Sequence, residues 1–346
     1  MDSELITKLV HSLEAKHTDA SVRLIETHIS WVLITDQYAY KIKKPIKYSF
    51  LDYSTLDLRK FYCERELELN KRLTHDMYLG VAPVSEKGDE VFVDESAGTV
   101  IDYAVKMEKQ DLSRQMNVLL EKNEVSHSDM ITIAATVSLF HSNAQICRPQ
   151  FSAEYFKEKF NDILSVGDYL VDNLGASAGR ILERAVDFAN CFVDKNERIF
   201  QNRIEHGFVR DLHGDLHSKN IFLYDEPVIF DCIDFNDSFR RIDVLDEIAF
   251  FCMDLDAYYK GDLVAIFLNN YLDMFPAISN QNEENLFTYY KCYRANVRTK
   301  VNGLRAQQAS DDHEKNKWLS EAERYLRLMN GYVGEGRYES ISQDFN

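Results

Sequence analysis

A chain of 346 residues, 45% hydrophobic and 12% aromatic, is long enough for one large or two medium domains with a buried core, and too apolar for a disordered protein. Its formal charge of −17 argues against nucleic acid or an anionic membrane surface as the main partner, while leaving room for a local basic pocket. The cysteines at 63, 147, 191, 232, 252 and 292 form no CxxC pair and no metal-ligand spacing, which is the usage of reduced core thiols in a cytoplasmic protein.

The start, Met1-Asp-Ser-Glu-Leu5, has no basic segment leading into an apolar one, so no signal peptide is expected. No apolar stretch approaches the roughly 18 residues of a membrane span. Val22-Arg-Leu-Ile-Glu26, Trp31-Val-Leu-Ile-Thr35 and Tyr38-Ala-Tyr-Lys-Ile-Lys43 read as strands, the last two joined by a tight turn at Asp36-Gln37. Ser54-Thr55 is an N-cap for a helix over about 56–73, and strands follow near 90–94 and 99–108. From there the pattern is mostly helical, over 112–121, 127–145, 153–172 and 178–205, and again over 243–257, 261–274, 283–308 and 311–331. Strands with one helix first, then helices around a small hairpin, predict an α+β chain of two lobes, 1–109 and 110–346. The ligand site is expected in the cleft between them.

Strand alternation puts Ala39, Lys41 and Lys43 on one face, so Lys41 and Lys43 compete for the role of a phosphate-contacting lysine. The helix over 56–73 carries Glu64 and Glu66, either of which could hold such a lysine in place. Taken alone, these residues fit a solvated basic edge and an ordinary Glu-rich helix face better than a nucleotide site. The second half of the chain tips the reading.

There, His213-Gly-Asp-Leu-His-Ser-Lys-Asn220 sets an Asp five residues before an Asn, and Asp231 comes eleven residues later. Asn220-Ile-Phe-Leu-Tyr224 and Pro227-Val-Ile-Phe230 read as two short strands joined at Asp225-Glu226. A hairpin brings its own ends together, so Asn220 and Asp231 can reach one ion. Gly214 lets the loop turn beside Asp215. Kinase-type phosphotransferases need this set: one carboxylate orients the attacking hydroxyl, while the Asn and the later Asp hold magnesium on the phosphates of ATP. Asp234 also lies near the hairpin's end and competes with Asp231. Asp231 is favoured because it directly follows the apolar strand.

These residues resemble the aminoglycoside phosphotransferase-like branch of the protein-kinase-like superfamily, which includes choline, fructosamine and methylthioribose kinases. Stretches such as Thr27-His-Ile-Ser-Trp31, Ala39-Tyr-Lys-Ile-Lys-Lys-Pro45, Phe50-Leu-Asp-Tyr-Ser54, Arg210-Asp-Leu-His-Gly-Asp-Leu-His217 and Asp231-Cys-Ile-Asp-Phe-Asn-Asp237 are similar to one uncharacterised bacterial group often fused to a C-terminal P-loop ATPase domain. The resemblance runs from about residue 20 to 305. It implies a two-lobed protein-kinase-like fold, with a small β-rich N-lobe and a large, mostly helical C-lobe, and ATP- and magnesium-dependent phosphorylation of a small-molecule acceptor. On it, Asp215 would be the catalytic base, Asn220 and Asp231 the magnesium ligands, and Lys41 the phosphate lysine paired with Glu66. Tyr103-Ala-Val-Lys-Met-Glu108, including Met107, would be the hinge strand at adenine. Asp246 resembles a structural Asp after the metal site, and His141 a packing residue that ends a helix.

Two departures stand out. Glu26-Thr-His-Ile-Ser30 has no glycine, so any grip on the phosphates from above falls to groups of Thr27, His28 and Ser30. No GxxxxGK[ST] occurs, so the P-loop ATPase is absent or a separately encoded partner. These departures keep a second expectation alive, a nucleotide-binding regulatory or interaction module with little turnover. Finally, Lys291, Arg294, Arg298 and Arg305 fall within roughly 60° on a helix. Arg294 and Arg298 are candidates for holding an anionic acceptor, the alternative being that they pair with acidic residues of the same lobe.

Overall fold

The computed structural model describes residues 1, 3–16, 22–48, 51–74, 76–95 and 98–343. Phe50, from one of the stretches carrying the resemblance, lies outside them. Two units emerge. The first comprises Met1–Lys122, His213–Asp215 and Lys219–Arg240, and the second Asn123–Leu212, Leu216–Ser218 and Arg241–Asn346.

The first unit opens with α1 (Ser3–Lys16), a helix not among the expected elements, in which Leu5, Ile6, Leu9 and Leu13 recur at helical spacing. Strands β1 (Arg23–Glu26), β2 (Ser30–Ile34) and β3 (Tyr38–Lys43) follow where expected. A small ribbon, β4 (Lys47–Tyr48) with β5 (Leu51–Asp52), leads to α2 (Leu56–Asn70). Thr55 caps α2, its hydroxyl accepting from the Leu58 N–H at 3.2 Å. Then come β6 (Tyr78–Lys87), β7 (Glu90–Val93), β8 (Thr99–Glu108) and, after a single 3₁₀ turn, α3 (Met116–Glu121).

The six strands form one antiparallel sheet in the order β1-β2-β3-β8-β6-β7. Strand β6 was not expected, because Gly80 and Pro83 both argue against a strand interior. Pro83 is tolerated because β7 pairs only from Val84 onward, and the Asp94 N–H donates to the Pro83 carbonyl. One face of the sheet, with Tyr40 and Ile42 from β3, packs on Ile6, Leu9 and Leu13 of α1. The other face, with Ala39, Val105 and Met107, packs with Cys63 and Leu67 of α2. That alternation sends Lys41 and Lys43 to the α2 side.

The second unit contributes α4 (His127–Asn143), α5 (Ala153–Asn161), α6 (Gly167–Leu174), α7 (Ala176–Glu205) and β9 (Val209–Asp211). A 3₁₀ turn at Asp162–Val166 breaks the helix expected over 153–172. Hairpin strands β10 (Ile221–Phe222) and β11 (Val228–Ile229) and the one-turn helix α8 (Asp237–Arg240) belong to the first unit. The second unit is completed by β12 (Arg241–Asp243), which pairs with β9, and by α9 (Val244–Ala257), α10 (Gly261–Met274), α11 (Gln281–Gln308) and α12 (Asp312–Gln343). Helix α9 is buried on nearly every side and mostly apolar, with the carboxylates of Asp246, Glu247 and Asp254 buried among its aliphatic and aromatic residues. The chain is therefore α+β, with a β-rich unit and a helical one, the expected fold class. Among the described residues no helix is long and apolar enough to cross a membrane.

Candidate active site

Strand β3, helix α2 and the end of the β10–β11 hairpin, all in the first unit, supply five charged groups to one array. Lys41 Nζ donates to Glu66 Oε1 at 2.9 Å and to Asp231 Oδ1 at 2.5 Å. Lys43 Nζ donates to Glu66 Oε2 at 2.7 Å and to Asp234 Oδ2 at 2.6 Å, with the Tyr53 hydroxyl 3.3 Å from both Lys43 Nζ and Asp234 Oδ2. One carboxylate thus grips both lysines, one through each oxygen. Glu66 is 0% exposed, whereas Glu64 is on the solvent side.

The two pairs differ in depth. The side chains of Lys43 and Asp234 are 1% and 6% exposed, and those of Lys41 and Asp231 are 13% and 44%. Burial works against the charge of Lys41, but Asp231 and Glu66 outweigh it and hold the amine well above its ordinary pKa. Lys43 is raised in the same way by Asp234 and Glu66. For Glu66 burial opposes ionisation, and the two lysines overcome it to bring the carboxyl down to about 2. Burial pushes Asp234 up, against the pull of Lys43.

Asp231 adopts φ 64°, a left-handed conformation that few non-glycine residues take. Its N–H donates to the Tyr78 hydroxyl at 3.2 Å, and the following Cys232 N–H donates to Asn70 Oδ1 at 2.9 Å. Asn70 lies one turn after Glu66 on α2 and returns its amide hydrogen to the Glu66 carbonyl. Helix α2 therefore fixes the segment after the hairpin as well as the lysines. Tyr53, Asn70 and Tyr78 were not singled out from the sequence. Only Asn70 carried a signal, its i+4 spacing from Glu66.

The loop before the hairpin is held from within. The Asp215 N–H donates to His213 Nδ1 at 3.2 Å, which leaves His213 Nε2–H to donate to the Phe230 carbonyl at 2.9 Å. Asn220 Nδ2 donates to both the carbonyl and Oδ2 of Asp215, each at 3.0 Å. Gly214 sits at φ +84°, and a Cβ there would lie 2.7 Å from the Phe239 carbonyl, so only glycine fits. In the second unit, the Ser218 N–H donates to Asp254 Oδ2, and the Tyr325 hydroxyl donates to the other oxygen of that carboxylate.

Met107 is buried in the sheet, its backbone in register with Ala39 on one side and Tyr78 on the other. The next two amides, of Glu108 and Lys109, donate to the Met77 and Gln37 carbonyls. The β1–β2 turn is closed by Thr27, whose N–H and hydroxyl both donate to the Ser30 carbonyl. Ser30 is 0% exposed, so its hydroxyl is withdrawn from the phosphate grip suggested for it. In the second unit Arg294 Nε donates to Asp246 Oδ1 at 2.6 Å, both side chains buried. Arg298 lies over the Tyr325 ring. His141 is buried between the Tyr271 hydroxyl and Glu247, each 2.7 Å from a ring nitrogen.

Among the described residues, no group of three or more His, Cys, Asp or Glu forms a metal site by itself. The donor set does suit a cation shared with a ligand. Asp231 presents a half-exposed carboxylate, and Asn220, with its amide nitrogen committed to Asp215, has Oδ1 as its remaining hard oxygen donor.

The choline kinase of Cryptosporidium parvum Iowa II superposes on this architecture with a TM-score of 0.56, over 99% of this chain and 97% of that chain, at 11% identity. A choline/ethanolamine kinase family protein from Mesorhizobium loti gives 0.50 over 95% and 99%, also at 11% identity. Aminoglycoside phosphotransferase APH(2'')-Ib gives 0.43 over 95% and 99%, at 15% identity. The chain has the protein-kinase-like fold of the choline kinase. Among curated proteins, uncharacterised proteins of Mycobacterium tuberculosis and Mycobacterium bovis are each 32% identical over 295 residues, 83% of this chain and 56% of the relative. The chain thus spans about half the length of the curated relatives it matches. No protein-family model matches it.

Proposed function

We propose that the chain transfers the γ-phosphoryl group of ATP, with magnesium, to a hydroxyl of a small-molecule acceptor. The observation that carries this reading is the pair of bonds from Lys41 to Glu66 and to Asp231, in the unit that also contains Asp215 and Asn220. Residues 1–109 form the nucleotide-binding lobe in this reading, with Met107 beside the adenine hinge, and residues 110–346 the catalytic and substrate lobe. Lys41, steadied by Glu66, contacts the phosphates. Asp215, its carboxylate fixed by Asn220, orients the acceptor hydroxyl and takes its proton. Asn220 and Asp231 would hold magnesium, whose chemistry there would be to offset the charge of the phosphates.

Asp231 is preferred over Asp234 as the metal ligand because it is the more exposed of the two and its lysine partner is the less deeply buried one. Arg294 and Arg298 stay candidates for an anionic acceptor, although the buried Arg294–Asp246 pair lends that role no support. A cytoplasmic location and a separately encoded P-loop ATPase partner rest on the sequence alone.

The second reading, a nucleotide-binding regulatory module, is favoured by the β1–β2 turn, which is glycine-free and closed on itself by Thr27. Incubation of the purified protein with labelled ATP, magnesium and metabolite pools tests the two. A labelled product that disappears in Asp215→Asn supports the kinase. ATP binding with no product in any pool supports the module.

A further inference from the structure

The sequence sets Lys43 against Lys41, and Asp234 against Asp231, as rivals for single roles. The structure gives all four a place, with Glu66 common to both pairs. Their burial ranks them. A ligand can reach Asp231, whereas Lys43, Glu66 and Tyr53 are 1%, 0% and 0% exposed. An amine so enclosed, with a carboxylate on each side and a phenol hydroxyl against it, has its hydrogens directed inward.

We propose that Lys43, Asp234 and Tyr53 form an inner strut of positioning residues, which acts on the nucleotide only through Glu66. This rests on the nucleotide-binding reading above and assigns roles within it. Two ties join β3 to the segment after the hairpin, Lys41–Asp231 and Lys43–Asp234. Use of Asp231 for a cation would release the outer tie and leave Glu66 as the carboxylate that still holds Lys41. Lys43 also holds Glu66 Oε2, which leaves Oε1 for Lys41 when Asp231 no longer shares that amine. Tyr53 comes from the turn before α2 and adds a hydroxyl to both members of the tie. Asn70, which receives the Cys232 N–H, strengthens the same junction from α2.

The strut predicts dependence on Glu66, which direct contact with phosphate does not. MgATP affinity is measured by titration calorimetry for wild type, Lys43→Met, Tyr53→Phe, Glu66→Gln and the two double variants with Glu66→Gln. Lys43→Met should weaken MgATP by about tenfold and Tyr53→Phe by about threefold, within the coupling range of one ion-pair network. In the Glu66→Gln background each further loss should shrink to less than about twofold. Equal losses in both backgrounds would put Lys43 on the nucleotide itself and overturn the strut, as would no loss in either. Complete loss of binding in Glu66→Gln alone would place Glu66 on the nucleotide and overturn it too. Should Lys43→Met fail to fold, Tyr53→Phe, which removes one oxygen, decides alone. A wild-type protein that does not bind MgATP overturns the nucleotide-binding reading, and the strut's role with it.

Discussion

Asn220 spends both hydrogens of its side-chain nitrogen on Asp215, one on the backbone carbonyl and one on the carboxylate, each at 3.0 Å. One amide therefore fixes the carboxylate proposed as base and, through its oxygen, offers a ligand to a cation. Asn220→Asp keeps the shape and sets two carboxylates side by side. Like charges at hydrogen-bonding distance cannot both ionise freely, so one proton is retained to higher pH. Phosphotransfer should fall by about two orders of magnitude, and the acidic limb of its pH profile should move upward. A profile that keeps its position would show that the two residues do not share a proton.

Asp215 itself touches the acceptor in the proposed mechanism and not the nucleotide. Asp215→Asn should lower kcat by about three orders of magnitude while the affinity for MgATP changes less than about threefold. Single-turnover measurements with calorimetry separate the two effects. Undiminished turnover would remove Asp215 from the chemistry.

The two aspartates after the hairpin should fail in different ways. Asp231→Ala should abolish the magnesium-dependent part of the thermal shift given by ATP and cost little stability, since its carboxylate is 44% exposed. Asp234→Ala leaves Lys43 buried with one of its two carboxylate partners, and breaking a buried pair costs about 3–5 kcal/mol. The apo melting temperature should therefore drop sharply in Asp234→Ala and barely move in Asp231→Ala. The reverse order in the magnesium response would make Asp234 the metal ligand.

Much of this arrangement was legible in the sequence because it is local or periodic. Alternation along β3 put Lys41 and Lys43 on one face, and HGDxxxxN with a hairpin tied Asp215, Asn220 and Asp231 together. What remained hidden was non-local or masked by composition. A linear pattern cannot show that the two oxygens of Glu66 serve two lysines, so groups that coexist read as rivals. Tyr53 and Tyr78 had nothing to distinguish them from packing aromatics until their hydroxyls were placed beside Asp234 and the Asp231 N–H. Strand β6 was concealed by Gly80 and Pro83, which the sheet accommodates at a position that β7 does not reach.

The shared carboxylate also sets a pH window for stability. Glu66 is depressed in the folded protein from an ordinary 4.5 to about 2. A depressed acid stabilises the fold fully above its unfolded value and loses that contribution as pH falls toward the folded one. Between pH 4.5 and 2 the urea midpoint should fall, and in Glu66→Gln that fall should be shallower. The lysines act on the other side, since their raised values keep their contribution intact until pH climbs above 10.5. An acid limb identical in the two proteins would mean that Glu66 is not ionised in the fold.

Variants at Arg294 separate a structural role from contact with an acceptor. Arg294 donates to Asp246 at 2.6 Å and lies over the Phe250 ring, 4.8 Å from its centroid. Burial pushes the Asp246 carboxyl up and Arg294 pulls it down, so removing the guanidinium strands an acid in an apolar site. Arg294→Ala should cost about 3–5 kcal/mol, whereas Arg294→Met with Asp246→Leu should come close to neutral, because both charges leave together. Arg294→Lys keeps the charge and loses the planar stack on Phe250, so its melting temperature should fall by less than that of Arg294→Ala. Contact with an anionic acceptor predicts another pattern: Arg294→Lys would keep its melting temperature and raise the KM of the acceptor by about tenfold or more. Thermal melts of the three variants, followed by acceptor kinetics on those that fold, distinguish a strut within the helical unit from a specificity residue.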